Sequence, residues 1–321
     1  MARRRSTLDE ATLIGRYFAG PQALRADVVL GIGDDAAVTR MRRGCDLVTA
    51  TDALFEGVHY PRGTPPRAIG HRCLAVNLSD LAAMGAKPLW ASLALSLPRA
   101  TGAWLREFSA GFFALAEAWN VALIGGDTVR GPPGATVTVQ GEVRRGRHVT
   151  RDAARAGDGI WVTGHPGDAV AGRLLLARRG GSPLLRRRFL YPAPRLREGV
   201  ALAGIASAMM DVSDGLHDDL GKLMRASGCG AELDASRLPL SRQLLAATGP
   251  AAARDMALCG GDDYELLFTV PARREAQLAR LTRDWAVPAT RIGTVRRAAG
   301  LRWSLDGKPF RFRDRTFRHF R

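Results

Sequence analysis

At 321 residues the chain is long for one compact core and comfortable for two domains. Its 46% hydrophobic and 24% charged content is ordinary for a globular protein, and it lacks the roughly 18 consecutive apolar residues that a membrane helix needs. The net charge of +16 attracts anions in general, but 44 of the 47 basic residues are arginine, spread along the chain, so a dedicated nucleic-acid surface is not expected.

The opening MARRRSTLDEATLIGRYFAG is basic but carries no apolar signal core, and the expected location is the cytoplasm. Cys45, Cys73, Cys229 and Cys259 show no CxxC spacing, so neither a zinc site nor a disulfide framework is expected. In chain order, LRADVVLGIGDDAAVTR reads as strand, glycine turn and strand. DLVTATDALFEGVHY reads as a strand, LVTAT, running into an acidic turn. PPRAIGHRCLAVNLSDLAAMGA has helical spacing, with prolines at its start and Gly85 near its end. PLWASLALSLP is an apolar strand, TGAWLREFSAGFFALAEAWN an amphipathic helix, VALIGGDT a strand ending in a glycine turn, and ATVTVQGEVRRG a period-two strand. The polar HVTRDAARAGD marks a boundary near 148–156, giving expected domains 1–150 and 151–321. Beyond it, GIWVTGHPGDAVAGRLLLARR reads strand, loop, helix. ASAMMDVSDGLHDDLGKLMRASG reads strand, acidic turn, helix. MALCGGDDYELLFTV is a glycine turn into a strand, and the tail holds two more short strands. Both halves mix strands and helices.

Six acidic sites share a pattern: Asp34–Asp35, Asp52, Asp80, Asp127, Asp211 with Asp214, and Asp262–Asp263. All but Asp80 are expected at strand ends or adjoining turns, where binding groups are usually presented. Singly, each has an ordinary explanation, since Asp214 can cap a helix and Asp–Gly is common turn chemistry. Asp80 lies inside an otherwise apolar helix, where a carboxylate is costly unless paired or metal-bound. Together the acids suit a hard divalent cation such as Mg²⁺, which takes carboxylates, water and substrate phosphates. There is no GxxxxGK[ST] loop, no HRD or DFG, and no GxSxG elbow.

GIGDDAAV, TDALFEGVHY, AVNLSDLAAMGAKP, LIGGDT, DVSDGL and GGDDYELLF occur in this order and together resemble the thiamine-monophosphate kinase family, within the AIR synthase-related superfamily. The resemblance implies a mixed α/β, two-domain AIR synthase-like fold. Its N-terminal sheet domain would form a homodimer, and its C-terminal domain would be α/β. It implies transfer of the γ-phosphoryl group of ATP to thiamine monophosphate, giving thiamine diphosphate, with several Mg²⁺ ions. By motif, Asp35, Thr51, Asp52, Asp80, Asp127, Asp211 and Asp214 would be metal ligands. Gly126, Asp127, Arg151 and Ser213 would contact ATP, and His59, Asp262 and Phe317 would face thiamine monophosphate. Two positions depart from the family pattern: Asp262 stands where GGEDYE has Glu, and Ala50 stands where a hydroxyl residue is frequent.

The implied acceptor is a phosphate monoester with a second pKa of about 6, so near neutral pH it is already an oxyanion. No catalytic general base is expected, and transfer would be direct and in line, resting on positioning and charge neutralisation. The alternatives are another ATP-dependent superfamily enzyme with a different acceptor, or a basic nucleic-acid-associated protein. Selenide dikinase would show a reactive Cys beside Lys near the N-terminus, whereas here the first Cys is Cys45 and the first Lys is Lys87.

Overall fold

The computed structural model describes residues 10–19, 25–176, 181–314 and 316. They form two compact units: 1–81 with 87–146, and 82–86 with 147–321. No helix among the described residues is long and apolar enough to cross a membrane.

The first unit begins with α1 (Glu10–Ile14), continued by a π-helical turn, and a short hairpin of β1 (Val28–Leu30) and β2 (Val38–Thr39). It then alternates β3 (Cys45–Phe55), α2 (Pro66–Ala83), β4 (Lys87–Leu97), α3 (Gly102–Trp119), β5 (Ala122–Arg130) and β6 (Gly134–Arg144). The sheet order is β3-β6-β4-β5. β4 and β5 run parallel, as their connection through a helix requires, and β6 is antiparallel to both its neighbours. One face carries Leu54, Leu93, Leu95, Val137 and Val139, all buried. The other carries Thr51, Ser92, Thr136, Thr138 and Asp127 at registered positions and stays partly exposed. The pattern is period-two alternation with one face packed.

Two glycines set the spacing of α2 and α3. A Cβ on Gly70 would lie 2.0 Å from the Phe108 carbonyl oxygen, and one on Gly111 would lie 1.9 Å from that of Arg67. The helices touch backbone to backbone there, which any side chain would forbid.

The second unit contains β7 (Gly159–Thr163), α4 (Asp168–Leu176), α5 (Pro183–Leu190), α6 (Leu196–Leu202), β8 (Ala208–Val212), α7 (Leu216–Ala226) and β9 (Gly230–Asp234). After them come α8 (Arg242–Thr248), α9 (Pro250–Cys259), β10 (Glu265–Val270), α10 (Glu275–Leu281), β11 (Ala289–Arg296), β12 (Gly300–Leu305) and β13 (Lys308–Pro309). The tail thus adds three strands where the sequence predicts two. The sheet order is β13-β12-β9-β11-β7-β10-β8. β10, ELLFTV, is buried along its whole length, as a strand covered on both faces must be. Ile160, Met210, Val212, Leu220, Leu223 and Leu267 form the centre of the core on one side. The four cysteines form no disulfide.

Two acids depart from their expected turns. β3 does not stop at LVTAT but runs through Asp52 to Phe55, and β5 runs through Gly125, Gly126 and Asp127 to Arg130. Long-range pairing with β6 and β4 carries both strands past residues that locally favour turns.

Candidate functional site

In the first unit the loop between β1 and β2 carries Gly31, Gly33, Asp34 and Asp35. Gly33 has φ +123°, a conformation that side chains rarely adopt. Asp34 Oδ1 accepts the Asp35 backbone N–H at 2.8 Å, so the acidic pair closes its own turn. The hairpin is tied to the sheet by Asp27, which accepts from Arg25 Nε at 2.9 Å and from Trp90 Nε1 at 3.1 Å. The Arg25 guanidinium holds the Asp27 carboxyl below its usual range.

Opposite the loop, β5 bulges against β4, with Ala91 facing Leu123 and Ser92 facing Gly125. The bulge turns the strand so that Gly126 takes φ +150°. A Cβ there would lie 1.9 Å from the Leu93 carbonyl oxygen. Loop and strand enclose a cavity of about 600 Å³, lined by Asp34, Asp35, Gly126 and Asp127 and floored by Ile14, Phe18, Leu93 and Ile124. Asp127 Oδ1 accepts the Thr128 N–H at 2.7 Å. Exposed carboxylates beside apolar side chains and bare glycine backbone suit a ligand with a flat apolar part and a cation-bound polyanion. Asp35, Gly126 and Asp127 are therefore brought together.

Thr51 and Asp52 lie on β3, at the opposite edge of the sheet from β5, and Asp80 lies on α2. Thr51 Oγ1 and Thr138 Oγ1 are 2.9 Å apart across β3 and β6. The Asp52 N–H donates to Asn77 Oδ1 at 2.8 Å, and the fully buried Asn77 is anchored by its own Nδ2 to the Cys73 carbonyl oxygen at 2.8 Å. Asp80 follows Asn77 by three residues and so sits on the same face of α2, half-buried. His59 folds back after β3, its Nδ1 accepting the Phe55 N–H at 2.9 Å, which puts the proton of the neutral ring on Nε2.

In the second unit the loop after β8 is built on a carboxylate that the sequence reading does not single out. Asp219 Oδ2 accepts the backbone N–H groups of Ser213 at 3.0 Å, Asp214 at 3.0 Å and Gly215 at 3.2 Å. Asp214, Asp218 and Asp219 bring their oxygens within 4.8 Å of one another. Lys222 Nζ reaches all three, donating to Asp219 Oδ1 at 2.8 Å and pairing with Asp218 at 3.1 Å and with Asp214. Partial burial opposes the ammonium charge, but the Asp214 and Asp219 carboxylates outweigh it and push the Lys222 pKa up. The only sequence signal for this cluster is the helical spacing of Asp218, Asp219 and Lys222.

Asp211 is buried on β8, opposite Leu266 of β10. Asp262 has φ +70° and donates its N–H to the Ser213 carbonyl oxygen at 2.9 Å, which joins the two acidic loops. Asp262 Oδ1 accepts from Tyr264 Oη at 3.4 Å. Asp263 points inward, accepting from Gly167 N–H at 2.8 Å and Ala169 N–H at 3.3 Å. Arg151 is exposed, and Met209 N–H donates to its neighbour's carbonyl, Thr150 O, at 3.0 Å, which places Arg151 at the start of β8. Asp211, Ser213, Asp214 and Asp262 are thus gathered at one end of the sheet. Phe317 lies outside the described residues.

Residues 33–143 match the family model for the AIR synthase related protein N-terminal domain, and residues 155–304 match that for the C-terminal domain. The chain is 43% identical to the thiamine-monophosphate kinase of Escherichia coli K12, over 97% of this chain and 98% of that one. The crystal structure of thiamine-monophosphate kinase from Stenotrophomonas maltophilia is 46% identical, with a TM-score of 0.83 over 88% of this chain and 92% of that one. A structure described as AaThiL complexed with AMPPCP and TMP is 34% identical, with a TM-score of 0.76 over 90% of this chain and 92% of that one.

Proposed function

The chain belongs to the thiamine-monophosphate kinase family of the AIR synthase related proteins, and on that footing we propose that it transfers the γ-phosphoryl group of ATP to thiamine monophosphate, giving thiamine diphosphate and ADP. The observation that carries the reading is the cavity of about 600 Å³ with Gly126 at its wall, Asp34, Asp35 and Asp127 at its rim and an apolar floor. It offers a nucleotide stacking surface, close backbone approach and acceptors for a cation on the polyphosphate. The structure named for AMPPCP and TMP supports the pairing of an ATP analogue with TMP in a relative.

The donor set fits Mg²⁺, because it consists of carboxylate and hydroxyl oxygens rather than sulfur or imidazole. In the first unit Asp35 and Asp127 at the cavity, and Thr51, Asp52 and Asp80 around β3 and α2, would hold separate Mg²⁺ ions. In the second, Asp211 and Asp214 would do so, Asp214 exchanging Lys222 for the metal. Bound there, Mg²⁺ supplies charge neutralisation between two phosphates that otherwise repel.

The chain's own groups do the rest. In the first unit Gly126 lets the β5 backbone approach the nucleotide and Asp127 orients it; in the second unit Ser213 is the proposed ATP contact. Arg151, exposed at the start of β8, forks onto a phosphate in a way Lys cannot. His59 presents Nε2–H to the acceptor, and Asp262 meets it from the left-handed turn beside Ser213. No side chain takes a proton from the acceptor, whose phosphate is already ionised near neutral pH. Transfer is therefore direct and in line, with no phosphorylated residue on the path.

The exposed sheet face, with Leu47, Phe55 and Val129 each more than a third exposed, supports a homodimer through the first unit. The cytoplasm is the proposed location. Turnover of ATP with thiamine monophosphate, followed by chromatography, tests the reading. Thiamine diphosphate and ADP should form in equal amounts with Mg²⁺ and not with EDTA. Folded protein that makes neither with Mg²⁺ would refute it.

A further inference from the structure

At the start of α4, where Asp263 accepts the backbone N–H groups of Gly167 and Ala169, the second unit holds another cavity, of about 400 Å³. It lies between the start of α4, the helix α5 and the chain entering α8, and its polar wall is Asp168, Ser241, His165, Arg188, Arg242 and Gln243. Asp168 is only 2% exposed. Its Oδ1 accepts from Ser241 Oγ at 2.6 Å. Its Oδ2 is buried and has no hydrogen-bond partner. The nearest cation, Arg188 Nε, is 4.0 Å away, beyond hydrogen-bond reach. Burial raises the Asp168 carboxyl above its usual range, against the pull of Ser241, His165 and Arg188.

An ionised oxygen left without a donor inside a protein is costly, and such groups normally have a partner. His165 does not supply one, because its Nδ1 contacts the Pro239 carbonyl oxygen at 2.8 Å and so carries the ring's proton in the neutral form. The exposed Leu184 and the half-buried Leu240 also line the cavity, beside the half-buried Arg188 and the exposed Arg242. The chemistry is therefore polarised. A buried acceptor that wants a donor faces the cavity, and the guanidinium groups of Arg188 and Arg242 line its more exposed part.

We propose that this cavity binds a small zwitterion, whose ammonium group donates to Asp168 Oδ2 and whose phosphate is held by Arg188 and Arg242. The site uses none of the residues proposed for the kinase centre. Arginine suits a phosphate through forked contacts, and a spacer of a few methylene groups suits the apolar part of the lining, Leu184 and Leu240.

Titration calorimetry of the full chain with O-phosphoethanolamine tests this, with ethanolamine and inorganic phosphate as the separate halves. The zwitterion should bind with Kd below about 1 mM, and each half roughly tenfold or more weaker. Losing one charge-assisted contact in Asp168→Asn or Arg188→Gln should weaken binding roughly tenfold or more. Arg188→Gln changes a partly exposed side chain and keeps the test decisive should Asp168→Asn fail to fold. Absence of binding at about 10 mM, far above the expected Kd, would overturn the proposal. So would affinity that both folded variants leave unchanged, binding of phosphate alone as tightly as the zwitterion, or capture only by phosphatidylethanolamine vesicles.

Discussion

Asp127 occupies the position where one carboxylate matters most to the proposed reaction. It borders the cavity beside Gly126, and its Oδ1 already accepts the N–H of Thr128, so the side chain is held in place before any ligand arrives. Asp127→Asn keeps the shape and removes the charge. It should lower kcat by roughly 10²-fold or more, the scale for deleting one electrostatic stabiliser, while the melting temperature stays near that of the parent by scanning calorimetry. Unfolding of the variant would make Asp127 structural instead. Lys222 gives a second test at this scale. Its ammonium group satisfies Asp214, Asp218 and Asp219 together. Lys222→Met should destabilise the second unit by roughly 1–3 kcal/mol, the cost of leaving buried acceptors unmet. If Asp214 does hold a divalent ion, added Mg²⁺ should raise the variant's melting temperature more than the parent's. Equal Mg²⁺ responses would remove Asp214 from the ligand set.

The elements carry constraints that single residues do not show. β5 can approach β4 at Gly126 only because that residue has no Cβ. Gly126→Ala should shift the strand, cost roughly 1–3 kcal/mol of stability, and abolish nucleotide binding measured with a fluorescent ATP analogue. Binding at parental affinity would show that the bulge does not shape the cavity. In the second unit, β10 is locked to β7 and to the start of α6 through Glu265. Its carboxylate accepts from Arg195 Nε at 2.6 Å and Thr163 Oγ1 at 2.6 Å, all buried. Burial alone would raise the Glu265 pKa, but the Arg195 charge outweighs it and holds the carboxyl below its usual range. A depressed carboxylate adds stability above its unfolded pKa and loses it as pH falls through the folded value. Glu265→Gln leaves Arg195 buried and uncompensated and should cost about 3–5 kcal/mol at pH 7. The gap from the parent should narrow as pH drops below about 4.3, the ordinary Glu value, when denaturation is compared at both pH values. A gap that widens in acid would contradict the pairing. These elements also mark how far the sequence could be read. The glycine turn before Asp35, the helix around Asp80 and the DVSDG and GGDDYE loops are local patterns, and each folds where its spacing predicts. Asp52 and Asp127 stay inside strands because distant partners on β6 and β4 extend the pairing past them. Asp219 sits a few residues from the loop N–H groups it accepts, so its only sequence mark is helical spacing, whereas Asp168 meets Ser241 only once the chain closes on itself, which no local spacing records.

At the scale of the whole molecule, the charge of +16 matters for substrates that are both polyanions. Long-range attraction should speed their capture, and exposed arginines are screened by salt. Raising salt from about 0.05 to 0.5 M, at constant free Mg²⁺, should lower kcat/KM for both substrates with little change in kcat. A fall confined to kcat would place the salt effect on the chemical step instead. The composition, two-domain length and six acidic motifs made the two-unit α/β architecture readable before any coordinates. The acceptor rests on family resemblance, because the acids report a cation and a polyphosphate but not what lies beyond them. The most direct measurement follows the label from [γ-³²P]ATP in the presence of thiamine monophosphate and Mg²⁺. Label should appear in thiamine diphosphate, fall sharply with Asp127→Asn, and never reside on the protein. Label recovered only as inorganic phosphate, or trapped on a side chain, would contradict direct transfer to thiamine monophosphate.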